Sequence, residues 1–473
     1  MTEREIHQST YMTETEALMW AAESDPWLSA GMGSLFLLDA APDFERFAAT
    51  IHDASFTLRR LRERVVEGFG LAPPRWVIDD DFDITDHIRH VQLPNPGGVE
   101  QVLELAAQVF QDPFDTSRPL WEFVAVSGPA GRKSASKVPG AIIMKLHHSV
   151  SDGIGALRLA EMYLDLERDP KVSRSESAPV ATDSAATESS TGLRDDFDHV
   201  AKKQLELTRK VAAEVALWGA DLDRPKRLAS TGMDMVRAAA GQRNTSSSTS
   251  GSSAFRTRSR QRHLEVFDLP LDSLKNASKT LGGSVNDVFV TGSLLGVKHY
   301  HQEIGSDLGQ FNLSFVLSTR ADDAAAGNAF TPIPFSVDSD FDSIEELFAA
   351  TQAAMGKKRD EILDTPVDAL NLVAGVASLL PKSLLTKAGR ARAATQDWAT
   401  SNLRGAPFPI FTAGAEITHM YPIGPVAGTA FNLTAMSYSG TLHFGCFLDP
   451  RAVSQPRLLR TCLQAGYESL LQL

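Results

Sequence analysis

At 473 residues the chain is longer than one hydrophobic core usually supports, so about two or three domains are expected. The composition, 43% hydrophobic and 22% charged, is that of a globular protein, and no apolar run is long enough to span a bilayer. A formal net charge of −13 excludes wholesale nucleic-acid binding, which needs a basic field.

In chain order, the first residues, Met1-Thr2-Glu3-Arg4-Glu5-Ile6-His7, are polar and lack the basic start and apolar stretch of a secretory signal, so export is not expected. From 16 to 167 helix-like and strand-like stretches alternate with short Pro/Gly turns such as Leu93-Pro94-Asn95-Pro96-Gly97-Gly98, the rhythm of an α/β lobe. Val102, Leu103, Ala106, Val109 and Phe110 recur at helical spacing, whereas 121–126 and 141–146 read as buried strands. The second strand runs into His147-His148-Ser149-Val150-Ser151-Asp152-Gly153. Strand side chains alternate, so His148 shares a face with Ile142, Met144 and Leu146, and His147 takes the face of Ile143 and Lys145. Ile154, Leu157, Ala160 and Leu164 then predict a helix just beyond Gly153.

Residues 171–192 and 244–253 are rich in Ser, Thr, Ala and Gly and read as linkers. They bracket a helix-prone stretch, 196–240, whose Phe197, Val200, Val211, Val215 and Trp218 suit docking on a lobe, lying on a membrane or packing on a partner. A second α/β-like lobe follows, with helices at 271–281 and 285–301, a strand at 312–318 and closing strands at 414–420, 429–437 and 440–448. Only Cys446 and Cys462 occur, too few for a disulfide framework or a thiolate zinc site, so free thiols in a reducing compartment are expected. The expected division is 1–170 for the first lobe, 171–258 for the linkers and helical connector, and 259–473 for the second lobe.

A histidine projecting from a strand end onto a turn can take a hydroxyl proton near neutral pH, which makes His148 the candidate general base. Adjacent strand histidines face apart and do not readily share one ion, so no metal site is expected.

His147-His148 with Asp152-Gly153 resemble the HHxxxDG signature of the bacterial wax ester synthase/diacylglycerol acyltransferase family, within the coenzyme A-dependent acyltransferase superfamily. Further segments are similar in the same order. They include Trp76, Phe82-Asp83-Ile84 with His87, Phe114-Asp115 through Pro119-Leu120-Trp121-Glu122, Asn286-Asp287-Val288, Arg320, Ser401-Asn402 and Tyr421-Pro422. Pro26-Trp27-Leu28-Ser29-Ala30-Gly31 stands where the family commonly has a Pro-Met-His-Val-Gly-like stretch, and Leu403-Arg404-Gly405-Ala406 replaces a Val-Pro-Gly-Pro.

The resemblance implies an α/β (α+β) fold of two chloramphenicol-acetyltransferase-like domains, mixed sheets flanked by helices, with a tunnel between them. It implies an O-acyltransferase that takes a long-chain acyl group from acyl-CoA, a co-substrate rather than a retained cofactor, to a fatty alcohol or diacylglycerol. Rival readings are a carrier-protein acyl donor and a non-catalytic lipid-binding protein of the same fold. His148 would be the base beside His147. Asp152 would hold the turn, paired with Arg320, and Gly153 would let the backbone bend past the base. Asn286 would either supply the oxyanion donor or, with Asp287, cap a helix, and Pro119-Leu120-Trp121 would be a buried strand start near the site. A cytoplasmic enzyme in peripheral contact with membranes or lipid bodies is expected.

Overall fold

The computed structural model describes residues 10–69, 72–129, 137–150, 159–160, 162–170, 252–318, 330–363 and 382–473. Helix α1 (Glu14–Glu23) opens on a capping box between Thr13 and Glu16, which satisfies two backbone donors at its first turn. Strand β1 (Gly31–Leu38) and helix α2 (Phe44–Thr57), capped by Asp43, follow. A short hairpin of β2 (Glu63–Val66) and β3 (Arg75–Ile78) precedes β4 (Ile88–Gln92), α3 (Val99–Gln111), β5 (Trp121–Ser127) and β6 (Gly140–His147). The periodic Val102, Ala106, Val109 and Phe110 are the buried face of α3, and the two expected strands are β5 and β6.

The second half runs β7 (His263–Pro270), α4 (Leu271–Thr280), α5 (Val285–Glu303), β8 (Gln310–Ser318), β9 (Phe330–Asp338), α6 (Ile344–Leu363) and α7 (Lys382–Ala393). It closes with β10 (Trp398–Arg404), β11 (Phe411–Thr412), β12 (Ala415–Ile423), β13 (Phe431–Tyr438), β14 (Thr441–Leu448) and α8 (Pro456–Leu471). Each helix and strand expected after residue 262 within the described residues is present.

Two six-stranded sheets organise these elements, in the orders β11-β12-β1-β6-β5-β4 and β7-β14-β13-β10-β8-β9. Both are mixed. In the first, β4 and β5 are parallel and the other pairs antiparallel; in the second, β10 runs parallel to both β13 and β8.

Alternation along β6 sends Ile142, Met144 and Leu146 into one core with Phe36, Phe47, Phe123 and Tyr163. Ala141 and Ile143 face another, which contains α3 and also Leu264 and Phe447 of the second sheet. The two lobes therefore share apolar core as well as meeting at their surfaces, and each fully buried Leu, Ile or Phe there contributes roughly 1.5–3 kcal/mol.

The expected boundaries need two corrections. The first sheet is not confined to residues 1–170, because β11 and β12 pair onto β1 from far along the chain. The second lobe begins before 259. Phe255 is fully buried in its core, and the Ser252 hydroxyl lies 2.5 Å from His301 Nε2. The linker at 171–192, the helix-prone 196–240 and the helix start at Ile154 and Leu157 lie outside the described residues.

Candidate active site

Strand β6 ends at His147, which pairs with Gly31 of β1, and His148 opens the turn that follows. Backbone hydrogen bonds fix both residues. The His147 N–H donates to the Leu120 carbonyl at 2.9 Å, the His148 N–H to the Ala30 carbonyl at 3.1 Å, and the Val150 N–H closes the turn on the His147 carbonyl at 2.9 Å. Leu120 and Trp121 are buried at the start of β5, as the strand reading expected, and the Leu120 carbonyl positions the first histidine. Trp121 donates its indole N–H to the Leu61 carbonyl at 2.8 Å and stacks on His87 at 4.4 Å. Burial holds the His87 pKa below the ordinary histidine value, against a hydrogen bond to the Trp121 carbonyl that acts the other way.

The two histidines occupy different environments. His147 is fully buried, between the edges of Trp20 and Phe114 at ring-centroid distances of 6.3 and 5.7 Å. Lys145, two residues earlier on the same strand face and 1% exposed, lies over the same Phe114 ring at 4.3 Å. Its charge is met by the Glu122 carboxylate at 2.9 Å and the Asp112 carbonyl at 2.7 Å. The Ser149 backbone N–H donates to His147 Nδ1 at 3.2 Å, and the Ser149 Oγ lies 2.6 Å from the same nitrogen. Nδ1 is thereby an acceptor, so a neutral ring carries its hydrogen on Nε2. That nitrogen faces Glu23 Oε2 at 3.2 Å. His148, in contrast, is half-buried.

Glu23, at the end of α1, links the whole arrangement. Its carboxylate faces His147 and also accepts the Ala30 N–H and the Ser29 hydroxyl, both at 2.9 Å. The Ala30 carbonyl in turn holds the His148 N–H. Burial pushes the Glu23 pKa up, but the His147 pairing and these hydrogen bonds outweigh it and hold the carboxyl below its ordinary value. Sequence reasoning missed Glu23. It has no motif around it, and only the tertiary fold brings α1 to β6.

Asn286 and Asp287 sit in the first turn of α5. Ser284 is the N-cap, and the Asp287 carboxylate accepts the Ser284 N–H and hydroxyl, both at 2.8 Å, completing a capping box. Asp287 therefore builds the helix end. Asn286 is half-buried, and its amide makes no hydrogen bond among the described residues. Asp152, Gly153 and Arg320 lie outside the described residues. Among the described residues no three His, Cys, Asp or Glu side chains converge as metal ligands, and Cys446 and Cys462 are free thiols.

A model of the wax ester synthase/diacylglycerol acyltransferase catalytic domain matches residues 12–289, and one of the corresponding C-terminal domain matches 326–471. A Mycobacterium tuberculosis protein provisionally named a diacylglycerol O-acyltransferase is 30% identical over 460 residues, 96% of this chain and 90% of its own length. Another of that organism with the same provisional activity in its name is 28% identical over 418 residues, 85% of this chain and 83% of its own. Among solved structures, the wax ester synthase/diacylglycerol acyltransferase of Marinobacter aquaeolei superposes with a TM-score of 0.64 at 19% identity, covering 98% of each chain. The first condensation domain of the calcium-dependent antibiotic synthetase gives 0.56 at 15% identity, covering 98% of this chain and 97% of its own. At such identities these superpositions establish the fold alone.

Proposed function

Because the chain belongs to the wax ester synthase/diacylglycerol acyltransferase family and is an O-acyltransferase, we propose that it transfers a long-chain acyl group from acyl-CoA to a fatty alcohol or diacylglycerol, with His148 as general base. The products are a wax ester or a triacylglycerol, and free CoA. Acyl-CoA is a co-substrate, and no retained cofactor is needed.

His148 removes the hydroxyl proton as the alcohol oxygen attacks the thioester carbonyl. The tetrahedral intermediate collapses with cleavage of the carbon–sulfur bond, and the imidazolium returns the proton to the departing thiolate. The oxyanion is assigned to a donor such as the Asn286 amide, which no described residue occupies. Asp152, Gly153 and Arg320 keep the structural roles that the resemblance implies. The lipophilic substrates place the enzyme in peripheral contact with a membrane or lipid inclusion. No helix among the described residues is long and apolar enough to cross a membrane.

The observation that carries this reading is the asymmetry of the histidine pair. His147 is fully buried and committed to Ser149 and Glu23, while His148 stands half-buried at the turn with its backbone fixed. The test is CoA release from palmitoyl-CoA with hexadecanol, and separately with a diacylglycerol. His148→Ala is expected to lower kcat by about 10²–10⁴-fold with its melting temperature unchanged. Alcohol-dependent release that survives the substitution would remove His148 as the base.

A further inference from the structure

The segment Phe255-Arg256-Thr257-Arg258-Ser259-Arg260-Gln261-Arg262 enters β7 with an arginine at every second position and no acidic residue between them. In a chain of net charge −13 such a run needs a physical reason. Arg256 and Arg260 are exposed, and Arg258 and Arg262 are half-buried.

Among the described residues the half-buried guanidiniums donate only to neutral carbonyls. Arg258 reaches Gly428 at 2.8 Å, Thr257 at 3.0 Å and Gln396 at 3.4 Å; Arg262 reaches Ser259 at 3.0 Å and Gln261 at 2.9 Å. Among the described residues no carboxylate lies within 4 Å of any of the four. The nearby acids are engaged elsewhere. Asp449 accepts the Ser259 hydroxyl at 2.6 Å, the Ser259 N–H, and the Arg451 N–H at 2.9 Å, and Asp397 accepts the Ser252 N–H at 3.3 Å. Burial pulls the Arg258 and Arg262 pKa values down, opposed by the charges of Asp397 and Asp449 for the first and of Asp449 for the second. A partly desolvated cation held by carbonyls alone is stabilised by an incoming anion, and the guanidinium fork matches phosphate.

The location ties this cluster to the reaction. Of the four, Arg258 and Arg262 flank a narrow surface crevice together with Asp449, Trp27, Val426 and Gly428. Trp27 is three residues from Ala30, a span of at most roughly 11 Å, and the Ala30 carbonyl is 3.1 Å from the His148 nitrogen. A pantetheine arm is about as long as five extended residues, roughly 17 Å, enough to join such a crevice to the base.

We propose that Arg256, Arg258, Arg260 and Arg262 form a phosphate-binding site for the 3′-phosphate and diphosphate of the donor's CoA moiety. The inference rests on acyl-CoA as the donor. A lipid headgroup offers the same phosphate chemistry, so the test must separate the two sources.

The variant is Arg256→Gln/Arg260→Gln, whose side chains make no hydrogen bond or ion pair among the described residues, with Arg262→Gln as a second. In the parent, KM for palmitoyl-CoA is expected to lie at least about tenfold below KM for phosphate-free palmitoyl-pantetheine, and the variants are expected to close that gap by about tenfold. An unchanged ratio overturns the site. Calorimetric titration with 3′,5′-ADP needs no turnover. Binding that the parent shows and the variants lose supports the site even if no acyl group leaves CoA, a result that would instead remove the donor reading. Variants that lose binding to phosphatidylglycerol vesicles but keep 3′,5′-ADP binding would assign the arginines to lipid and overturn the CoA assignment.

Discussion

Glu23 holds both histidines through different atoms: His147 by its ring, and His148 through the Ala30 backbone. Its pKa is held below the ordinary carboxyl value, so the stability it contributes is present above the unfolded carboxyl's pKa and lost as pH falls through the lowered value. Glu23→Gln keeps the shape and removes the charge. Losing hydrogen bonds to a charged acceptor costs about 1.5–3 kcal/mol each, and part of that is expected as lost alignment. A fall in kcat on the order of tenfold with KM nearly unchanged is the expected outcome. The melting-temperature gap between parent and variant should be widest at neutral pH and close in acid. A variant with parental kcat, or a gap that widens in acid, would remove the positioning role. At this scale the histidine pair was legible because it is contiguous and ends a strand. The ring's place on the Lys145 face of the strand also follows from alternation. Glu23 and Trp20 were not legible, since they reach His147 only once α1 has docked on β6.

Helices α5 and α8 illustrate what an element reveals and conceals. The apolar pattern of 285–301 gave α5, but the pattern names no partner. The partner is set by small residues. A Cβ on Gly292 would strike the Tyr467 ring, one on Gly296 the Leu463 backbone, and one on Gly466 the Gly296 backbone. Close approach lets the Tyr467 hydroxyl reach the Phe289 carbonyl at 2.7 Å. Gly296→Ala would gain about 1 kcal/mol of helix propensity, but overpacking against backbone costs typically 1–3 kcal/mol. Overpacking outweighs the propensity gain, so a lower denaturation midpoint is expected in chemical unfolding, and a higher one would show that the helices can part without cost. The same limit affected β12. Its residues read as a strand, yet nothing local specifies that it pairs with β1 rather than with the sheet of its own half, because register is decided by distant partners.

Across the whole molecule, β12 belongs to the first sheet by hydrogen bonds and lies against β14 of the second. Its crossing depends on Gly445, where a Cβ would run into the Pro422 carbonyl oxygen. Beside it, Asp268 of β7 accepts the Tyr421 hydroxyl at 3.0 Å and lies 2.6 Å from His443 Nδ1, so polar contacts join the lobes at the edge of their shared apolar core. A seam built this way sets the spacing between the lobes, and Trp27 and Leu28, close in sequence to the residue that holds His148, pack against the second lobe at Gly428. Widening the crossing should therefore affect stability and catalysis together. Gly445→Ala is expected to lower the melting temperature and kcat/KM, since backbone is what the new Cβ meets and strands cannot yield as a flexible side chain does. Gly356→Ala is the control: it lies within α6, its Cβ meets nothing within 4 Å, and it should gain up to about 1 kcal/mol with kcat/KM unchanged. If Gly445→Ala matched that control in both stability and kcat/KM, the spacing of the lobes would not depend on this crossing.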